Sequence, residues 1–138
     1  MLTEATFNPE LEGYAEDELL RLADSVAIEP VYWPVFDQAG IEVSVRRDDN
    51  VHPLASGNKF YRLFHNMASA KKQGLKILLS FGGAWSNHIY ALAALGRDQG
   101  VQTVGVIRGE RPRRLSDTLL DAEAMGMTLH FVTRLEYR

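Results

Sequence analysis

Apolar positions along this chain recur with two different periods, and the changes of period mark its elements. Phe60, Leu63, Phe64, Met67 and Ala68 fall at i, i+3, i+4, i+7 and i+8, one stripe of a helix over about 58–73. Ser56 or Asn58 is placed to cap its start, and Gly74 to end it. Residues 76–81 are a short apolar run, the pattern of a strand buried on both faces. Gly82-Gly83 then turns the chain into a helix that Ser86 or Asn87 can cap and that reaches about Gln99. Residues 101–107 read as the next strand. Leu115, Leu119, Ala122 and Met125 mark a third amphipathic helix closed by Gly126, and residues 128–132 read as a last strand.

The first fifty residues are less regular. Residues 1–13 are mixed and polar, an irregular arm. Leu19, Leu20, Leu22 and Ala23 stand among acids and predict a short helix over 15–24. Pro30 and Pro34 each push the preceding residue to extended geometry and stop that helix. Residues 41–46 alternate apolar and polar with period two, which predicts a half-buried strand, and residues 47–53 form a polar loop.

From residue 58 the order is α-β-α-β-α-β. This alternation implies an α/β fold with a parallel sheet and right-handed helical crossovers. Ligands bind such sheets at the carboxyl ends of the strands, where residues 82–86 and 108–110 stand. The chain has 138 residues, enough for one domain. Its net charge of −3 argues against a general nucleic-acid binder. With no cysteine there are no disulfides and no thiolate metal sites, which fits a reducing cytoplasm. No apolar run has the length of a membrane span, and the N-terminus lacks the pattern of a signal peptide.

Two stretches carry candidate chemistry. Ser56-Gly57-Asn58-Lys59 sets a lysine in the opening turn of a helix. Residues 80–88 run strand, two glycines, then helix start, an arrangement that turns backbone N–H groups toward a phosphate or carboxylate. No Gly-Lys-Ser/Thr, G-x-G-x-x-G or G-x-S-x-G follows, so the nucleotide loops and the hydrolase elbow are excluded. A tight turn with a cap and no ligand remains the plain alternative. His52, His65, His88 and His130 lack metal-ligand spacing, so no metal site is expected. Asp48 and Asp49 form either a carboxylate pair or a solvated loop. Trp85 and Tyr90 either line a pocket or pack. The arginines of residues 108–114 meet an anion or partner, or are solvated.

Taken in order, Arg46-Arg47-Asp48-Asp49, His52-Pro53, Ser56-Gly57-Asn58-Lys59 with Arg62-Leu63, and Gly82-Gly83-Ala84-Trp85-Ser86-Asn87-His88 resemble a known enzyme family over roughly residues 28–138. It is the pyridoxal-phosphate family of 1-aminocyclopropane-1-carboxylate deaminase and D-cysteine desulfhydrase. The resemblance implies a three-layer αβα fold with a parallel sheet, the tryptophan-synthase-β type (fold type II). It implies pyridoxal 5'-phosphate as cofactor, a small amino acid as substrate, and a homodimer for the full-length family member. Lys59 would be the catalytic Schiff-base lysine and then the base. Asn58 would position it. Asn87 would bond the phenolic oxygen of the cofactor. Ser86, with the backbone N–H groups of Asn87 and His88, would hold the substrate carboxylate, and Ser86 would take part in the chemistry.

The reactions implied are opening of aminocyclopropane carboxylate to 2-oxobutyrate and ammonia, or conversion of D-cysteine to pyruvate, sulfide and ammonia. Phe60-Tyr61 depart from the polar and basic residues the family more often carries after its lysine. Family members are roughly twice as long. Their glycine-rich phosphate loop and the residue facing the pyridine nitrogen belong to a later half that does not follow Arg138. The expectation is therefore an N-terminal part of such a protein. Residues 1–50 would belong to the larger domain and residues 51–138 would form the small α/β domain, leaving Trp33, Val35, Phe36 and Ile41 exposed. A non-catalytic chain without a complete cofactor site, or another dehydratase of the same fold, are the alternatives.

Overall fold

A computed structural model describes the backbone of residues 16–138 and the side chains of residues 20–138. The arm expected over 1–13 lies outside the described residues. Helix α1 spans Glu16–Ser25. Strand β1 (Ile28–Pro30) pairs antiparallel with β2 (Ser44–Arg46), and helix α2 (Pro34–Gln38) sits between them. Neither β1 nor α2 is visible in the periodicity. Three residues are too short to show a period, and α2 depends on Pro34 at its first position, where the fixed φ favours a helix start. The strand expected over 41–46 shrinks to its last three residues, all exposed, because one short partner strand is all that covers it.

The larger unit begins at α3 (Asn58–Lys72) and continues through β3 (Ile77–Gly82), α4 (Asn87–Gln99), β4 (Gln102–Arg108), α5 (Asp117–Ala124) and β5 (Thr128–Val132). The sheet is parallel in the order β3-β4-β5, with Phe81 beside Val106 and Val106 beside His130. This is the expected α/β class. Crossovers of one hand that step the same way along a sheet place α4 and α5 on one face, and α3 packs on α4. Phe60, Ile89, Leu92, Leu95, Ile107 and Leu119 are fully buried between these helices and the sheet.

The opposite face of the sheet carries no helix among the described residues. Ile77, Leu79 and Phe81 are 55%, 54% and 59% exposed there, whereas Leu78 packs on the core from the other side. The expectation that residues 76–81 are buried on both faces is thus corrected. The continuous apolar run is real, but one helical layer covers only every second residue. Among the exposed apolar groups expected in the first fifty residues, Trp33, Val35 and Ile41 are exposed and Phe36 is half-buried.

Two arginines tie the β1–β2 unit down. Arg46 Nε donates to Asp48 Oδ1 at 2.8 Å, and its Nη2 donates to the Ala23 carbonyl at 2.6 Å. Tyr61 Oη donates to Asp48 Oδ1 at 2.8 Å, so α3 joins the same cluster. Arg47 pairs with Asp49 and with Glu29. Asp48 and Asp49 are therefore neither free carboxylates nor a simple solvated loop. The Arg46 and Tyr61 bonds hold the Asp48 carboxyl below its ordinary range, and Arg47 does the same for Asp49.

Candidate active site

Helix α3 opens without a side-chain cap. Its N-cap is Gly57, at φ 64° and ψ −153°, and neither Ser56 nor Asn58 caps it. Such a φ is held by glycine at little cost, and Gly57 N–H is held by the Asp48 carbonyl at 2.8 Å. Asn58 is the first helical residue, so its amide is free to turn sideways: Lys59 Nζ donates to Asn58 Oδ1 at 2.8 Å.

The second element is the turn from β3 into α4. Gly82 is buried, and a Cβ there would lie 2.4 Å from Ile89 Cγ1 and 2.8 Å from Ser86 Oγ. The absence of a side chain lets the first turn of α4 close onto the end of β3. Ser86 caps the helix, its Oγ accepting the Ile89 amide at 3.3 Å. Ser116 Oγ donates to the Ala84 carbonyl and pins the turn from the α5 side.

These two helix starts face one cleft of about 290 Å³, lined by Leu54, Ser56, Asn58 and Lys59 on one wall and by Asn87, Tyr90 and Ala91 on the other. Its size is at the small end of the roughly 300–1,000 Å³ of ligand pockets. Of the five site residues expected from the sequence, Lys59, Asn58 and Asn87 line it. Ser86 stands at the cap of the same wall. His88 turns to the other side of α4, where its Nε2 is 2.8 Å from Ser80 Oγ, in a separate cavity between α3 and β3. Burial first, and then the charges of Lys59 and Arg62, hold the His88 imidazole below its ordinary value.

Tyr90 lines the cleft, while Trp85 is 71% exposed and does not. Tyr90 and Ala91 lie three and four residues after Asn87, the spacing that shares one helix face, so that signal was available. Leu54 and Ser56 enter through the loop before α3, which no period describes. Phe60 and Tyr61 point away from the cleft, into the core and the Asp48 cluster respectively. Arg111 pairs with Glu123 and lies over the Phe131 ring, so it serves the α5–β5 packing.

No family model matches the chain. Among curated proteins, a putative 1-aminocyclopropane-1-carboxylate deaminase of Thermotoga maritima is 32% identical over 104 residues, 72% of this chain and 33% of that protein. A D-cysteine desulfhydrase of Klebsiella pneumoniae subsp. pneumoniae is 28% identical over 100 residues, 72% of this chain and 30% of its own length. Over most of its own length the chain is thus similar to 1-aminocyclopropane-1-carboxylate deaminases and D-cysteine desulfhydrases.

The chain spans about a third of the length of these curated relatives. Solved structures share this fold. A 1-aminocyclopropane-1-carboxylate deaminase homologue superposes with a TM-score of 0.63 at 24% identity, over 78% of this chain and 32% of that one. O-ureido-L-serine synthase superposes with a TM-score of 0.61 at 17% identity, over 81% of this chain and 35% of that one. Both likenesses bear on the fold alone. Among the described residues no helix is long and apolar enough to cross a membrane, and no group of three or more acidic or imidazole side chains is placed to hold a metal ion.

Proposed function

We propose that this chain carries the cofactor lysine of a pyridoxal-phosphate-dependent deaminase or lyase of small amino acids, of the 1-aminocyclopropane-1-carboxylate deaminase or D-cysteine desulfhydrase kind. The observation that carries this reading is the facing of Lys59 and Asn87 across one cleft, with Asn58 on the lysine amine. These residues fit the group. The cleft offers an amine for an aldehyde, an amide for a phenolic oxygen, and a helix start for an anion.

Lys59 would hold the cofactor through Nζ, and its amine must be neutral to do so. Asn58 Oδ1 orients Nζ before any ligand arrives. Asn87 would hydrogen-bond the ring oxygen from the opposite wall. Ser86 accepts the Ile89 amide and keeps its own O–H to donate. That proton, with the N–H groups opening α4, would bind a substrate carboxylate. When bound, the cofactor ring supplies an electron sink for bonds at the substrate α-carbon. Lys59, released by substrate, would move a proton at that carbon. In this reading residues 51–138 form the small domain, and residues 1–50 belong to a neighbouring larger one, joined through Arg46, Asp48 and Tyr61.

The test is to incubate the chain with pyridoxal phosphate, reduce with borohydride and map the modified lysine by mass spectrometry. Selective, stoichiometric labelling of Lys59, abolished in Lys59→Ala, is expected. Labelling spread evenly over Lys59, Lys71, Lys72 and Lys76 would overturn the proposal.

A further inference from the structure

A histidine outside the cleft connects its two walls. His52 is 9% exposed, and its ring stacks on Phe60 with centroids 5.5 Å apart. Its Nδ1 accepts two backbone amides, Leu54 N–H at 3.2 Å and Ala55 N–H at 2.9 Å. A neutral imidazole that accepts at Nδ1 carries its proton on Nε2. Nε2 faces Asp98 Oδ2 at 3.3 Å. Leu54 belongs to the loop that forms one wall and leads into Lys59. Asp98 belongs to α4, whose first turn forms the other wall. One ring thus grips the loop with one nitrogen and the helix with the other.

We infer that His52 is a positioning residue for the Lys59 cleft, its neutral, Nε2-protonated ring bracing the loop before α3 against α4 and so setting the distance between Lys59 and Asn87. The functional meaning of that distance rests on the cofactor reading above; the brace itself does not.

The brace depends on protonation state in one direction. An imidazolium has N–H groups at both nitrogens, so Nδ1 would no longer accept the Leu54 and Ala55 amides. The charged groups facing the ring are Asp98 and Arg97, both from α4, and these two are themselves paired at 2.7 Å. Phe60, from α3, is uncharged, and the ring's own loop contributes amides. Burial, the largest influence, lowers the His52 pKa below 6.5, Asp98 partly opposes this, and Arg97 lowers it further. A folded value below the unfolded one leaves the brace intact above the ordinary histidine range and removes it as pH falls through the folded value.

The test uses the whole chain and begins without cofactor. Long-range 1H–15N spectra report the His52 tautomer, and amide spectra are followed as pH is lowered. The Nε2–H tautomer is expected, with the Leu54 and Ala55 amides and, across the cleft, the Asn87 and Tyr90 amides shifting at the midpoint of the ring. The Nδ1–H tautomer, or a ring that titrates while Asn87 and Tyr90 stay still, would overturn the inference. In parallel, borohydride-trapped labelling of Lys59 by pyridoxal phosphate is timed in the wild type and in His52→Phe, which keeps the stacking. At about pH 8 the variant is expected to be slower by roughly ten- to a hundredfold, the scale of a misplacement near 1 Å. The ratio closes toward one below the ring midpoint, where the wild type has lost its brace too; lysine protonation cancels in it. A ratio of one at every pH refutes the brace. Coupled amide shifts without selective Lys59 labelling in the wild type would leave the brace standing and remove the cofactor reading.

Discussion

Substituting Gly82 by alanine tests the way the turn from β3 to α4 builds one wall of the cleft. The added Cβ would meet Ile89 Cγ1 at 2.4 Å, against an ordinary carbon–carbon contact of about 3.5–4.0 Å. More than 1 Å of overlap must be relieved. Ile89 is fully buried and cannot swing out, and Ser86 Cβ stands 2.9 Å away on the other side. Overpacking of this kind costs about 1–3 kcal/mol. Displacing the first turn of α4 also breaks the Ser86 cap, worth about 1 kcal/mol. Against this stands about 0.4–1 kcal/mol from the stiffer unfolded chain. The net loss is about 2 kcal/mol, or a fall in Tm on the order of 10 °C. Gly83 is the internal control, because a Cβ there meets nothing within 4 Å. Gly83→Ala keeps the unfolded-chain gain without the clash and should stabilise by at most about 1 kcal/mol. Urea unfolding followed by far-UV circular dichroism measures both. Equal midpoints for the two variants would refute the close-approach argument, whatever their absolute values.

Leu119→Ala, at a fully buried position in α5, should cost about 2–5 kcal/mol in the same assay, and a loss under 1 kcal/mol would show the core to be misassigned. Tyr61→Phe removes the hydroxyl shared by Asp48 and Arg46 and should cost about 1 kcal/mol. Because Asp48 titrates below its ordinary range, its contribution is complete above about pH 4 and fades as pH falls through the lower folded value; Asp48→Asn should flatten that limb of a stability–pH curve. The exposed sheet face should bind a hydrophobic dye, and the double variant Leu79→Thr, Phe81→Thr should reduce the dye signal while shifting the urea midpoint little.

The elements from residue 58 onward were legible because each repeats its period for long enough. Of the expected stripe, Phe60, Leu63, Phe64 and Met67 are buried and Ala68 is half-buried. Of the two expected caps of α4, Ser86 is the one used, and Asn87 is the first helical residue. The failures have physical causes. A run such as Ile77 to Phe81 records hydrophobicity but not how many layers cover it. The period cannot see β1, whose three residues are stabilised by Arg46 and Arg47 rather than by a core. Lys59 and Asn87, in the cleft, came from motifs with a role attached; His52 stood in the stretch His52-Pro53, outside the cleft, with none. A lone histidine before a proline looks like loop until two amides and a carboxylate are found on its ring.

Gly57 bears on how this sequence can change. No neighbouring atom lies within 4 Å of a Cβ built there, so space alone would admit other side chains. The obstacle is the dihedral pair, φ 64° with ψ −153°, a region held almost only by glycine and costing other residues about 1–3 kcal/mol. Substitution at 57 therefore strains the backbone that aims Asn58 and Lys59, whatever the new side chain's chemistry. Mutational drift is confined here by the backbone, before any ligand exerts selection.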